Sequence, residues 1–239
     1  MRVSHVALDD FRSYRHAVVE FAPGTTVLLG SNGQGKTNLV EAVSYLSAFS
    51  SHRVSAEQAL VRLPLSPDEA QPGGAVVRVR LVTAGERETV IELEIVRGKA
   101  NRAKVNRTQV RPREVLGLLK SVVFSPEDLQ IVRGDPQVRR QFLDDLLIQQ
   151  HPLIAQVKSD FDKVARQRAA LMKSAQSQLR RGFTPDFSTV EVWDDTFAQL
   201  SAQLSLARVG LVEELRGPTA HAYEEIGGSP RKLDIEFLA

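Results

Sequence analysis

The chain reads as an α/β protein: a glycine-loop lobe with an antiparallel β subsheet, joined to an α-helical hairpin arm. Three observations carry that reading. A loop of the form G-x-x-x-x-G-K-[ST] occupies Gly30–Thr37, between a β-rich run and an amphipathic run. Residues 75–83 and 88–96 alternate apolar and polar side chains with period two. From Gln137 onward the apolar spacing changes to three and four, the period of helices that pack side by side.

The loop runs Gly30, Ser31, Asn32, Gly33, Gln34, Gly35, Lys36, Thr37. Glycines at its first, fourth and sixth places permit positive φ, so successive N–H groups can turn inward around a phosphate chain. Lys36 at that spacing reaches β- and γ-phosphates, and the Thr37 hydroxyl ligates Mg²⁺. The helix expected from Lys36 sets its positive dipole end against the anion. Context supports the motif. Thr25-Thr26-Val27-Leu28-Leu29, after the Pro23-Gly24 turn, reads as a strand, and Leu39, Val40, Val43 and Leu46 fall on one helical face.

Composition excludes several classes. The 239 residues are 42% apolar and 25% charged, ordinary for a folded domain with a core. Zero cysteines exclude disulfides, thiolate metal sites and cysteine nucleophiles. No apolar run approaches a membrane span and no signal peptide opens the chain, so a cytoplasmic location is expected.

In chain order, residues 3–8 and 17–21 read as strands flanking Phe11-Arg12-Ser13-Tyr14-Arg15. With the strand at 25–29 they bring the glycine loop to a sheet's C-terminal edge, where open α/β sheets bind ligands. Arg12 suits a nucleotide contact, a nucleic-acid contact or a plain surface charge. After the first helix, Arg53 of Ser50-Ser51-His52-Arg53 can reach phosphates of a nucleotide or a nucleic acid, and His52 reads as polar surface. A short helical segment follows at 56–61, then a Pro- and Gly-rich flexible connection at 63–74.

The alternating runs at 75–83 and 88–96, with a turn at 84–86, form a hairpin; a third strand near 102–106 completes a three-stranded antiparallel subsheet. Its last hairpin carries a basic block, Arg97, Lys99, Arg102, Lys104, Arg107, Arg111 and Arg113, with no acidic residue among positions 97–113. Net charge is only +2, so the block stands out. It suits a phosphate-backbone footprint as well as a solvated hairpin that protects a sheet edge. A helix is expected at 113–119 and a buried strand at 121–124, with Ser125 capping a helix from Pro126. Glu127, just past an apolar strand, occupies a place where P-loop enzymes keep a functional carboxylate, and is the catalytic candidate.

The helical part has apolar faces at Phe142, Leu143, Leu146 and Leu147, then Leu153, Val157, Phe161, Val164 and Leu171. After Gly182-Phe183-Thr184-Pro185, a heptad seam runs Trp193, Phe197, Leu200, Leu204, Ala207, Leu211. Two such helices make an antiparallel arm. Pro218 is expected to restart a short helix that ends at Gly227-Gly228, and 232–237 reads as a strand. The organisation is thus a lobe at 1–134, an arm at 135–228, and a strand returning to the lobe at 229–239. No apolar strand ending in Asp-Glu is present, and Ser205–Gly210 only faintly imitates a serine-glycine signature inside a heptad helix. Together with the strand opening so near the last residue, this suggests a truncated chain.

Taken together these blocks resemble the bacterial RecF recombination-protein family. The matching stretches are Phe11-Arg12-Ser13-Tyr14, Glu20-Phe21-Ala22-Pro23-Gly24, the loop through Leu39, and Glu41-Ala42-Val43. The narrowest are Phe124-Ser125-Pro126-Glu127-Asp128-Leu129 and the run from Gly134 to Asp144. The resemblance implies a P-loop, ABC/SMC-head-like ATPase lobe that binds ATP and Mg²⁺ through Gly30–Thr37, dimerises around ATP and binds duplex DNA and junctions. It implies RecR and RecO as partners, indirect action on RecA at gaps and stalled forks, and a role in replication and the SOS response. It also implies a weak DNA-dependent ATPase when complete, with Ser125–Asp128 near the γ-phosphate. Arg53, Arg97, Lys99, Arg102, Lys104 and Arg107 are the DNA-binding candidates. Where the family has Ser-Phe-Arg-Thr, Ser51-His52-Arg53-Val54 keeps only the cation. The rival reading, an SMC-type chromosome-organising head, requires a far longer coiled coil.

Overall fold

The structure, a computed structural model, describes residues 1–51, 53–54, 56–184, 188–227 and 232–238. The chain divides into two compact units, Met1–Val138 and Arg139–Ala239. The first is built on one antiparallel sheet. Its strands are β1 (Arg2–Phe11), β2 (Tyr14–Glu20), β3 (Gly74–Val82), β4 (Glu88–Val96), β5 (Arg102–Val105) and β6 (Thr108–Val110). Among the described residues they lie in the order β2-β1-β3-β4-β5-β6.

Period-two alternation decides which face is buried. Val77, Val79 and Leu81 of β3 point inward with Ile91, Leu93 and Ile95 of β4 and Val6 and Leu8 of β1. The register sets Val79 opposite both Ile91 and Val6, so the apolar side chains stack across three strands. Helix α1 (Lys36–Ala48) covers this face with Leu39, Ala42, Tyr45 and Leu46. Each buried leucine among them contributes about 1.5–3 kcal/mol. On the other face the register pairs opposite charges: Glu92 meets Arg78 at 2.8 Å and Lys104 at 2.7 Å, and Arg102 lies 3.7 Å from Glu94.

The expected subsheet of three strands is therefore part of a larger sheet, because β1 pairs with β3 directly. The segments read as strands at 25–29, 121–124 and 232–237 are not strands here. They have no ladder partner among the described residues, and β propensity alone cannot hold an extended chain without one. Val27 and Leu29 are 70% and 88% exposed, Val122 and Phe124 94% and 89%. An apolar cleft of about 360 Å³ lies beside them, lined by Leu28 and Val123 together with Phe21, Leu39 and Val43. The glycine loop accordingly follows a segment without regular secondary structure rather than a parallel-sheet strand. The helix expected at 113–119 is only a 3-10 turn, Pro112–Val115. The connection at 63–74 is tied down: buried Arg62 bonds Asp10 at 2.8 Å and Glu69 at 2.5 Å, and Glu69 also accepts the Leu65 N–H.

A short helix α2 (Leu129–Arg133) and α3 (Pro136–Gln150) lead to the second unit. There α4 (Ile154–Arg180) packs along α5 (Ser188–Gly227), with Phe161 stacked on Phe197 at 5.3 Å and Arg168 bonded to Asp194. Leu204 and Leu211 of the heptad seam are buried. Two residues placed on apolar faces sit outside them: Leu153 is 85% exposed ahead of α4, and Phe142 is 43% exposed on α3. Pro218 does not restart a helix but lies inside α5, where it withholds one N–H without breaking the rod. Gly228 and Pro185 lie outside the described residues. Residues 232–238 form neither helix nor strand, with Arg216 donating to the Ile235 carbonyl at 3.1 Å and pairing with Asp234 at 3.0 Å.

A buried ion pair ties three helices of this unit. Arg208 of α5 donates twice to Asp144 of α3, both bonds at 2.8 Å, and Lys158 of α4 stands 3.5 Å from the same carboxylate. Arg208 sits inside the stretch that imitates a serine-glycine signature, and its role here is to hold the bundle. Removing one member leaves the other charged and buried. Asp144→Ala is expected to destabilise the helical unit by about 3–5 kcal/mol, whereas Asp144→Leu with Arg208→Met recovers most of it. Urea melts followed by circular dichroism check both.

Candidate nucleotide site

The glycine loop turns where the sequence requires. Gly30, Gly33 and Gly35 have φ of 152°, 83° and 93°, and α1 begins at Lys36 as expected. Gly35 is the most constrained of them. Besides its left-handed backbone, a Cβ there would come within 2.7 Å of the Ser13 hydroxyl and 3.0 Å of the Tyr14 ring. Tyr14 donates its hydroxyl to the Gly35 carbonyl at 3.1 Å, so the β1–β2 turn props the loop from below.

Lys36 folds back over the loop, its Nζ donating to the carbonyls of Gly30 and Ser31, both at 2.7 Å. Those bonds tie the two ends of the loop together. Helix α1 has no side-chain cap and no acidic residue in its first turn, leaving its positive end open to an anion. Thr37 is exposed at the same end. The donors, the lysine and the hydroxyl fit a phosphate chain with its divalent cation. Among the described residues no group of His, Asp and Glu forms a separate metal site.

Beneath the loop lies a carboxylate that sequence reasoning missed. Glu41, one turn beyond Thr37 on α1, is 1% exposed. Arg12 grips it with two bonds, Nε to Oε2 at 2.9 Å and Nη2 to Oε1 at 2.5 Å. Ser51 donates to Oε1 at 2.5 Å, and Arg53 Nη1 lies 3.2 Å from Oε2. Burial alone would push this carboxyl up. The bonds from Arg12 and Ser51 and the two guanidinium charges outweigh burial and hold it below the usual value of 4.5. Arg12 also donates to the Ala59 carbonyl at 3.0 Å, in a left-handed backbone conformation with φ 53°. It is a brace between the β1–β2 turn, α1 and the 3-10 segment Glu57–Leu60, rather than a plain surface charge. No sequence signal marked it: Glu41 falls on the side of the helix opposite the apolar face read from Leu39, Val40, Val43 and Leu46, and the fold buries it while leaving Val40 42% exposed.

The remaining candidates are spread along the first unit. Arg53 lies at the loop end of α1, donating to Asn38 Oδ1 at 2.8 Å. His52 lies outside the described residues. Arg102 and Lys104 stand on the exposed sheet face beside Glu94 and Glu92. Arg97 and Lys99 belong to the β4–β5 turn and Arg107 to the β5–β6 turn, where its φ is 70°. Glu127 is exposed on the 3-10 turn Pro126–Asp128, whose start is fixed by a capping box between Ser125 and Asp128.

The Glu41 cluster makes a pH-dependent contribution to stability. Its pKa is depressed in the folded state, so the contribution is full above the unfolded value and is lost as pH falls through the folded one. Glu41→Gln is expected to cost about 1–3 kcal/mol near neutral pH. The gap to the parent should close as pH drops below 4.5. Thermal melts across pH 3 to 7 (a range of about four units) read both effects.

Comparison with known proteins places this geometry. Residues 2–212 match the RecF/RecN/SMC N terminal domain. The chain is 47% identical over 240 residues to the DNA replication and repair protein RecF of Frankia alni, and 48% identical over 243 residues to that of Beutenbergia cavernae. Both alignments take in 100% of this chain but only 61% and 59% of those proteins, so it spans about three-fifths of their length. The recombination mediator protein RecF, solved as RecF-ATPrS in the RecFOR pathway, superposes with a TM-score of 0.82 at 27% identity, over 95% of this chain and 58% of that one. The same protein solved as RecF-ATP gives 0.81. A P-loop ATPase lobe with a helical arm is thus the shared fold, and the chain belongs to the RecF/RecN/SMC N-terminal-domain family, within which it corresponds to the N-terminal part of RecF proteins.

Proposed function

We propose that this chain is the nucleotide-binding part of a RecF-type DNA replication and repair protein, gripping ATP at Gly30–Thr37 and using that grip to control DNA binding. The observation that carries the reading is the loop itself: three positive-φ glycines, a lysine folded over their carbonyls, and an uncapped helix end. Solved relatives described as RecF-ATP and RecF-ATPrS support ATP as the nucleotide.

In this reading the backbone N–H groups orient the phosphates, and Lys36 leaves its carbonyl partners for the β- and γ-oxygens. Thr37 holds Mg²⁺, which offsets phosphate charge when bound. A second head caps the nucleotide, and the joined pair presents basic side chains to duplex DNA without sequence preference. With RecR and RecO the whole protein helps load RecA at gaps and stalled forks, and supports replication, recombination and the SOS response. Separation of the heads, driven by a weak DNA-dependent ATPase in which Glu127 is the candidate carboxylate, releases the DNA. The arm of 27- and 40-residue helices favours this reading over a chromosome-organising SMC head with its far longer coiled coil.

Two measurements test it. Lys36→Ala should weaken binding of a fluorescent ATP analogue by about 10- to 100-fold, the worth of its charge-assisted bonds; an unchanged isotherm would sink the assignment. For DNA, alanine at Arg97, Lys99 and Arg107 together should lower the slope of log affinity against log salt by about 2–3, roughly 0.9 for each phosphate no longer neutralised. Arg102 and Lys104, already partnered by Glu94 and Glu92, should change it less. Equal slopes for parent and triple variant would remove the basic turns from the interface.

A further inference from the structure

The geometry points to a polar link, Tyr45–Glu57–Asn101, through which occupancy of the glycine loop resets the basic β4–β5 turn. This rests on the nucleotide reading above and adds a route from the phosphates to side chains offered to DNA.

The link starts on the buried face of α1. Tyr45 is 1% exposed there, and its hydroxyl donates to Glu57 Oε1. The second oxygen of that carboxylate, Oε2, accepts Asn101 Nδ2 at 2.9 Å. Asn101 also closes its own turn, its Oδ1 accepting the Val96 N–H at 3.3 Å. At the other end of the turn the Arg97 N–H donates to the Gly73 carbonyl at 2.9 Å. The turn is thus held at one end by the residue before β3 and at the other by a carboxylate bonded to α1. Lys99 is exposed between the two anchors.

The 3-10 segment that bears Glu57 is tied to α1 a second time, because Arg12 joins Glu41 to the Ala59 carbonyl. Lys36 meanwhile spends two bonds on the Gly30 and Ser31 carbonyls. Phosphate oxygens take over that donor, so the loop and the first turn of α1 have a second arrangement available. The helix rests on the sheet through Leu39, Ala42 and Leu46, and apolar contacts of this kind are non-directional. They let α1 slide slightly as a rod. Hydrogen bonds weaken steeply when misaligned, so Glu57 and then Asn101 follow the helix. Packing alone does not call for a tyrosine at this place. Phenylalanine would fill the same space with no buried hydroxyl to satisfy.

The test uses the lack of cysteines in the chain: Ala100→Cys, exposed beside Asn101, takes one environment-sensitive fluorophore. ATP is titrated into the labelled 239-residue chain and into labelled Tyr45→Phe, Glu57→Ala, Tyr45→Phe/Glu57→Ala and Lys36→Ala versions, with ATP affinity read separately by a fluorescent analogue. ATP should shift the emission of the labelled parent. Tyr45→Phe and Glu57→Ala should each cut that response by about fivefold or more while ATP affinity stays within about twofold. The double variant should lose no more than either single one, because the two residues act as one unit. A full response in both single variants overturns the link, since the turn is then reached by another path. Loss of response together with ATP affinity in Tyr45→Phe also overturns it, as a general structural defect. Should Glu57→Ala unfold, Tyr45→Phe decides alone, because it removes only a hydroxyl. A parent that binds ATP, loses it on Lys36→Ala and yet shows no emission change overturns this inference only. A parent that binds no ATP overturns the nucleotide reading as well.

Discussion

The buried carboxylate of Glu41 is the point where the first unit's loop, hairpin turn and helix are joined. Two guanidinium groups and a hydroxyl converge on it from the β1–β2 turn and from Ser51 and Arg53, and Asn38 of α1 adds bonds to Ser13 and Arg53 of the same segments. Desolvating a carboxylate is costly, and only the full set of donors offsets it. The cluster therefore has few arrangements that satisfy it, and each fixes the start of α1 relative to the sheet. Tyr14, anchored in the same turn, then sets the height of the glycine loop through its bond to the Gly35 carbonyl.

The sheet provides the rigid floor for that cluster. Its inward face is a continuous apolar layer across β1, β3 and β4, and α1 lies on it through Leu39, Ala42, Tyr45 and Leu46. A second polar link extends from α1 toward the basic turns. The Tyr45 hydroxyl bonds Glu57, and Glu57 accepts the Asn101 amide at 2.9 Å in the β4–β5 turn. Burial, then the Glu57 carboxylate, push the Tyr45 hydroxyl far above its ordinary pKa, so it stays a proton donor at any physiological pH. The outer sheet face shows the opposite economy: glutamates of β4 share the charges of Arg78, Arg102 and Lys104 in a solvated ladder that contributes little to stability.

The helical unit is organised by the same device in different chemistry. Its heptad seam specifies that α4 and α5 lie side by side, but a seam of medium-sized apolar residues does not by itself choose a register. The Asp144–Arg208 pair, with Lys158 beside it, supplies a directional contact that one alignment of three helices satisfies. Stacking of Phe161 on Phe197, with Arg168 over the same ring at 5.4 Å, pins the hairpin farther along.

Local chemistry alone determined the glycine loop, the start of α1, the hairpin strands and the paired long helices, because each depends on backbone freedom or on a short-range period written into consecutive residues. The Gly35 left-handed turn and the Val77–Leu81 alternation are of this kind. What tertiary structure decided were the partners. Whether β1 joins the later hairpin, and whether 25–29 and 121–124 become strands, depends on which edges meet, and apolar runs such as Val122–Phe124 look alike paired or exposed. The roles of Glu41, Arg12, Asp144 and Arg208 were equally hidden, since a charge becomes a brace only when folding brings its counter-charge from 29 or 64 residues away and excludes the water that would otherwise weaken the pair.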